Sequence, residues 1–289
     1  MALTLDTPLV STQWLEEHLD DPALRIIDCS MMMQPNDDGT FSFVAATEVF
    51  SEGHIYNSIY IDLGGELSDQ NHEMSLMMPS PEVLAKTLRL KGIGEGTAVV
   101  CYDRSNHAWA SRVWWMLKTC GFDNAAVLNG GYKKWLAESR AISTEMTEYP
   151  EADSLPVKPR SQQIVDKERV LSVLEKDDAQ LLHSLPLPMF TGEVNAYGRP
   201  GRIPGSKHMY CENLLNAQDN TFIDHHEILS KYEAAGVSKD KPIIAYCGGG
   251  IAASANALAL TLTGHDNVAV YDGSLSEWCA DPNLPMEVD

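Results

Sequence analysis

Short apolar runs rich in β-favouring residues alternate with helix-length segments along the chain, and the alternation is written twice. In the first half, Leu24–Asp28, Ile59–Asp62, Thr97–Tyr102 and Ala125–Leu128 read as strands. Pro81–Leu90 and Ala108–Thr119 read as helices, with Ser80 before Pro81 supplying an N-cap and first-turn pair. The second half repeats the order. Gln180–His183, Lys207–Tyr210, Pro242–Tyr246 and Asn267–Tyr271 read as strands, and His226–Ala235 and Ala252–Leu262 as helices. Apolar runs bounded by turns and separated by helices predict a parallel sheet covered on both faces. Each half is then a small α/β domain.

Three sequence segments support duplication. Gly53-His-Ile-Tyr-Asn-Ser58 returns as Gly201-Arg-Ile-Pro-Gly-Ser206, and the run ending in Tyr102-Asp103 returns as the run ending in Tyr246-Cys247. Val127-Leu-Asn-Gly-Gly131 with Trp135 returns as Val270-Tyr-Asp-Gly-Ser274 with Trp278. The order is kept and the spacing stays between 143 and 148 residues. Between the copies, Thr144 to Arg160 is rich in Pro, Glu and Ser and reads as an exposed, stiffened linker. The division predicted is 1–143, a linker over 144–160, and 161–289. The tail after Trp278 reads as surface coil.

Composition narrows the class. The 289 residues are 44% hydrophobic, enough to fill cores, and 41 acidic against 21 basic side chains leave a formal charge of −20. Such a surface repels phosphate backbones and anionic lipid, so neither nucleic acid nor membrane is an expected partner. The N-terminus lacks the basic and apolar segments of a signal peptide. Six scattered cysteines without a Cys-x-x-Cys pair point to reduced thiols in a cytoplasm. No His/Cys/Asp cluster has metal-ligand spacing, and the adjacent His225-His226 pair reads as surface.

The strongest chemical signal is Tyr246-Cys247-Gly248-Gly249-Gly250-Ile251-Ala252-Ala253. It follows a buried-type strand and opens a helix, at the sheet edge where open α/β folds bind ligands. Successive glycines let backbone N–H groups turn inward at a helix N-terminus, a setting that favours a thiolate. A cysteine phosphatase would need an arginine six residues on, to grip phosphate in a fork. Ala253 stands there, and no Lys or Arg occurs from Cys247 through Thr263. In the first copy Asp103 takes the place of Cys247, so that half is expected to be catalytically silent.

The tandem pattern resembles the two-domain rhodaneses, the thiosulfate and 3-mercaptopyruvate sulfurtransferases. The resemblance is carried by Gly53-His-Ile, Tyr60-Ile-Asp62, Met77-Met-Pro79, Arg112-Val-Trp-Trp115, Gly201-Arg-Ile-Pro-Gly-Ser206, the Cys247 loop and Asp272-Gly273 with Trp278. It implies two tandem rhodanese-like domains and a persulfide on Cys247. The persulfide would be loaded by a small sulfur donor and unloaded by a thiophilic acceptor (cyanide, a thiol or a reduced protein). It implies no metal, no organic cofactor and a monomer or weak oligomer.

This chain departs from the family at the donor site. Thiosulfate enzymes carry basic residues after the cysteine, where Gly248 and Gly249 stand here. Mercaptopyruvate enzymes carry Gly, Ser or Thr, Gly, so Gly249 replaces a hydroxyl. Leu185 and Met189 occupy positions where the family has arginines. Arg199, Arg202 and Lys207 are the nearby cations, so the first two are candidates for donor binding. Asp62 matches a first-copy aspartate of the family; Leu76 takes its histidine's place, with His72 as a possible substitute. An alternative reading is a persulfide carrier with little turnover on the usual small donors; a third is a structural double domain with an inert cysteine.

Overall fold

In the computed structural model, which describes residues 3–36 and 41–289, the chain forms two compact units. The first holds residues 1–159 with 217–221, and the second holds 160–216 with 222–289. Each is built on a five-stranded, wholly parallel sheet.

In the first unit the strands are β1 (Leu9–Val10), β2 (Leu24–Asp28), β3 (Ser58–Tyr60), β4 (Ala98–Tyr102) and β5 (Ala125–Leu128), in spatial order β1-β5-β4-β2-β3. The second has β6 (Ile164–Val165), β7 (Gln180–His183), β8 (Lys207–His208), β9 (Ile243–Tyr246) and β10 (Val268–Tyr271), in order β6-β10-β9-β7-β8. The two orders are the same. The central strands β4 and β9 are buried at every position, because a sheet covered on both faces has no polar side to alternate with.

The predicted helices are present as Pro81–Leu90, Ala108–Thr119, His225–Ala234 and Ile251–Leu262. Ser80 caps the first of these, its hydroxyl accepting from Val83 N. The edge strands β1 and β6, two residues each, and an antiparallel ribbon of Met31–Pro35 with Phe41–Ala45 are additions that periodicity did not show. Two residues are too few to carry a period.

The structure gives the repeated motifs a physical reason. In the first unit the Tyr102 hydroxyl accepts from Ile55 N (3.3 Å) and pairs with Ser58 Oγ (3.0 Å). In the second, Tyr246 accepts from Ile203 N (3.1 Å) and donates to Ser206 Oγ (2.7 Å). The tyrosine at the end of each central strand is thus a buried post that fixes the Gly-x-Ile-x-x-Ser turn beside it.

The C-terminal tail differs from the expected surface coil. Leu284 packs into the second core, and Trp278 Nε1 donates to Pro285 O (2.9 Å). Arg202 and Glu287 pair as an antiparallel bridge, and the Arg202 guanidinium binds Glu287 and Asp289. Burying Leu284 and Trp278 outweighs the low helix and strand propensity that marked the tail as coil.

Among the described residues no helix is long and apolar enough to cross a membrane.

Candidate active site

Cys247 follows β9 directly and is almost fully buried, 2% exposed. Gly250 caps the helix Ile251–Leu262 with φ of 78°, a left-handed conformation that glycine enters without a Cβ penalty. The loop between is pinned from the far side. Ser274 Oγ accepts from Cys247 N (3.1 Å) and Gly250 N (3.2 Å), and donates to Tyr271 O (2.7 Å). Leu275 N and Ser276 N bind the carbonyls of Cys247 and Gly248.

The remaining loop amides are differently placed. Among the described residues, the N–H groups of Gly248, Gly249 and the first-turn residues Ile251, Ala252 and Ala253 have no acceptor. At Gly249 an added side chain would meet nothing within 4 Å, so this is the open side of the loop. Residues 247 to 253 thus bring together a buried cysteine and main-chain donors at a helix N-terminus, of which the amide of Gly250 is taken by Ser274.

The first unit shows what such a loop holds. Asp103, after β4, accepts from Ser105 N (2.9 Å) and His107 N (3.2 Å) with Oδ1 and from Ala110 N (3.0 Å) with Oδ2. The carboxylate of the chain itself occupies the amide cradle there. A segment from the second half, residues 217–221, closes over this loop: Asn220 O meets His107 Nε2 at 2.6 Å and Asp219 pairs with Lys134 at 2.8 Å.

The other candidates are spread out. Arg199 donates to Asp281 O (2.9 Å) and Leu284 O (2.7 Å), and Arg202 lies over the Phe190 ring and binds the tail carboxylates. Both guanidiniums are spent on the tail. Met189 is half-buried in the short helix Leu187–Thr191, a position without charge. Asp62 and His72 belong to the first unit, where Asp62 caps the amide of Gly64 (3.0 Å) and exposed His72 accepts from Met74 N (3.1 Å).

Residues that sequence reasoning passed over stand beside the loop. Ser274 was visible as the end of a repeated motif, but its clamp could not be read from spacing. Tyr197 lies against Gly248, where a Cβ would come within 2.7 Å of its Cε1 and closer to its hydroxyl. Burial first, then Cys247 and Cys279, push the Tyr197 phenol well above its ordinary range. Ser184, beside Cys247 across the sheet edge, is fully buried and its hydroxyl has no partner among the described residues.

Burial also decides which thiols are inert. It pushes Cys120 up to about 11 and raises Cys29, Cys211 and Cys279, with Cys247 adding to the rise at Cys211. These four stay as neutral thiols at physiological pH.

His183, at the end of β7, shows the opposite sign. Burial, His208 and Arg202 push its pKa down to about 3, whereas an unfolded chain titrates near 6.5. The folded protein therefore binds fewer protons than the unfolded one between those values. Stability from this group is full above pH 6.5 and is lost as pH falls towards 3. The expected result is an unfolding free energy, measured in urea, that falls more steeply below pH 6.5 in wild type than in His183→Gln, by up to about 1.4 kcal/mol per pH unit.

A cavity of about 440 Å³ lies at the opposite, amino-terminal edge of the second sheet, lined among others by Ile164, Asp166, Arg169, Pro242 and Asn267. None of the residues above lines it. No group of three or more His, Cys, Asp or Glu among the described residues could hold a metal ion.

The two α/β units share one topology; in one the central strand runs into a cysteine followed by amides without an acceptor among the described residues, and in the other an aspartate fills the amides of the matching loop. The chain belongs to the rhodanese family: the Rhodanese-like domain matches residues 11–138 and 192–281. It is 32% identical over 285 residues to the 3-mercaptopyruvate sulfurtransferase of Escherichia coli K12, covering 97% of this chain and 98% of that one. The thiosulfate sulfurtransferase of Bos taurus is 33% identical over 280 residues, covering 93% and 91%. Among solved structures, the mercaptopyruvate enzyme SseA of E. coli superposes with a TM-score of 0.82 at 30% identity, covering 93% and 98%. A persulfide form of EanB with ergothioneine gives 0.81 at 26% identity, covering 97% of this chain and 70% of that one. This chain is thus a sulfurtransferase of the rhodanese family.

Proposed function

We propose that Cys247 is the persulfide-forming residue and that an organic thiol of the 3-mercaptopyruvate type is the favoured donor. The observation that carries the first part is the pair of loops. A loop at the same strand-to-helix junction that holds a carboxylate in the first unit carries Cys247 in the second, where the amides of Gly248, Gly249 and Ile251 to Ala253 have no acceptor among the described residues. Main-chain donors aimed where charge develops stabilise an anionic sulfur as they would an oxyanion.

In the forward step the Cys247 thiolate attacks the donor sulfur. An S–S bond forms, the C–S bond breaks, and its electron pair leaves as the enolate of the α-keto acid, which takes a proton. In the second step the acceptor attacks the outer sulfur, and the Cys247 thiolate leaves; with cyanide the product is thiocyanate.

The donor preference rests on charge. Cys247 through Thr263 carries no cation, and Arg199 and Arg202 are bound to the tail. A dianion such as thiosulfate meets no fixed positive side chain from these residues. A persulfide carrier loaded by another protein is the second reading, favoured by Leu185 and Met189 standing where the family has arginines. Steady-state kinetics with cyanide as acceptor separate these readings. Mercaptopyruvate should exceed thiosulfate in kcat/KM by roughly tenfold or more, within the range that pocket contacts provide. The reverse order overturns the donor assignment, and a stable persulfide without turnover on either donor supports the carrier.

A further inference from the structure

We infer that Tyr197 is the specificity-determining wall of the Cys247 site, a neutral ring that occupies the side-chain space of position 248 and admits sulfur groups without a high negative charge. The substrate-class part rests on the function proposed above; the placement of the wall does not.

The wall is held from behind. Tyr197 packs on the core that includes Tyr246, Tyr271 and Trp278. Two residues on, Arg199 is tied to the carbonyls of Asp281 and Leu284, and Cys279 Sγ lies 3.8 Å from Arg199 O. Arg199 is thus a positioning residue for this segment. On the front side the ring touches the main chain of Gly248, where even a methyl group would overlap it. At Gly249 a side chain would meet nothing within 4 Å. Position 248 is therefore closed by the hydroxyl end of the Tyr197 ring, and position 249 is open.

The chemistry of the wall follows from its environment. Burial and the neighbouring cysteines keep the phenol protonated, so it brings neither positive nor negative charge to the cysteine. A cation at position 248, which would attract a dianion, has no room while the ring is in place. Glycine there and tyrosine at 197 are a matched pair.

Alkylation of Cys247 reads the wall without requiring sulfur transfer. Rates with neutral iodoacetamide and anionic iodoacetate are compared in wild type, Tyr197→Phe, Tyr197→Ala, Gly248→Arg and the Tyr197→Ala/Gly248→Arg double variant. Tyr197→Phe keeps the ring and should keep the wild-type ratio of the two rates. Gly248→Arg alone should slow both reagents, because its side chain collides with the ring. In the double variant the arginine fits, and the ratio should move towards iodoacetate by roughly tenfold, with the donor preference moving towards thiosulfate. The inference is overturned if Gly248→Arg has the same effect whether residue 197 is Tyr or Ala. Absence of transfer in wild type together with the alkylation pattern above would sink the function proposed here and leave the wall standing. Circular dichroism confirms folding, and Tyr197→Leu replaces Tyr197→Ala if the latter does not fold.

Discussion

Replacing Cys247 with serine is expected to abolish sulfur transfer, a loss of about a thousandfold or more in kcat/KM, the scale seen when an enzyme loses its nucleophile. A serine oxygen is protonated at neutral pH and cannot form an exchangeable bond to sulfane sulfur. The other cysteines are built-in controls: burial holds Cys29, Cys120, Cys211 and Cys279 as thiols, so none of these four substitutes for the missing one. The check is twofold. Thiocyanate formation should vanish in Cys247→Ser, and mass spectrometry of donor-treated wild type should find one added sulfur, on the peptide bearing Cys247 and lost on reduction. Full activity in the serine variant would remove Cys247 from the reaction.

Ser274→Ala should produce the second largest change. The hydroxyl bonds three main-chain groups at once, the amides of Cys247 and Gly250 and the carbonyl of Tyr271. Alanine leaves all three buried without a partner, at a cost of about 1–3 kcal/mol for each unsatisfied group before relaxation. Unfolding in denaturant should show a net loss of about 2–4 kcal/mol after the loop adjusts. Activity should fall about a hundredfold, because a displacement of the nucleophile by an ångström is enough to do so. Equal denaturation midpoints for the variant and wild type would show that the clamp is dispensable.

Much of this arrangement was legible in the chain because it depends on local pattern. The long central strands, four of the five helices of ten or more residues among the described residues and the cysteine at a strand-to-helix junction follow from apolar runs, caps and glycines, whereas the helix Lys167–Lys176 was not read from the pattern. The Gly-x-Ile-x-x-Ser turns and their tyrosines were legible as repeats, and the structure adds the bonds that join them. What was not legible depends on contacts between distant residues. Arg199 and Arg202 look like free cations near the cysteine until the tail, some 80 residues later in the chain, takes their hydrogen bonds. Tyr197 and Gly248 are likewise separated in sequence and matched only in space. Ser274 shows a third limit. Its counterpart in the first copy is Gly131, and both adopt positive φ, 48° and 56°. A serine is strained there and a glycine is not, so pattern alone favours glycine; the three bonds made by its hydroxyl explain why a serine stands there.

The aspartate in the first unit bears on how the two halves diverged. With Asp103 in place, that loop carries its counter-charge covalently and asks for nothing from solution. The other half carries a cysteine at that position, and the loop amides of Gly248, Gly249 and Ile251 to Ala253 are left without an acceptor among the described residues. One copy became a closed circuit, and its twin became a terminal for passing cargo.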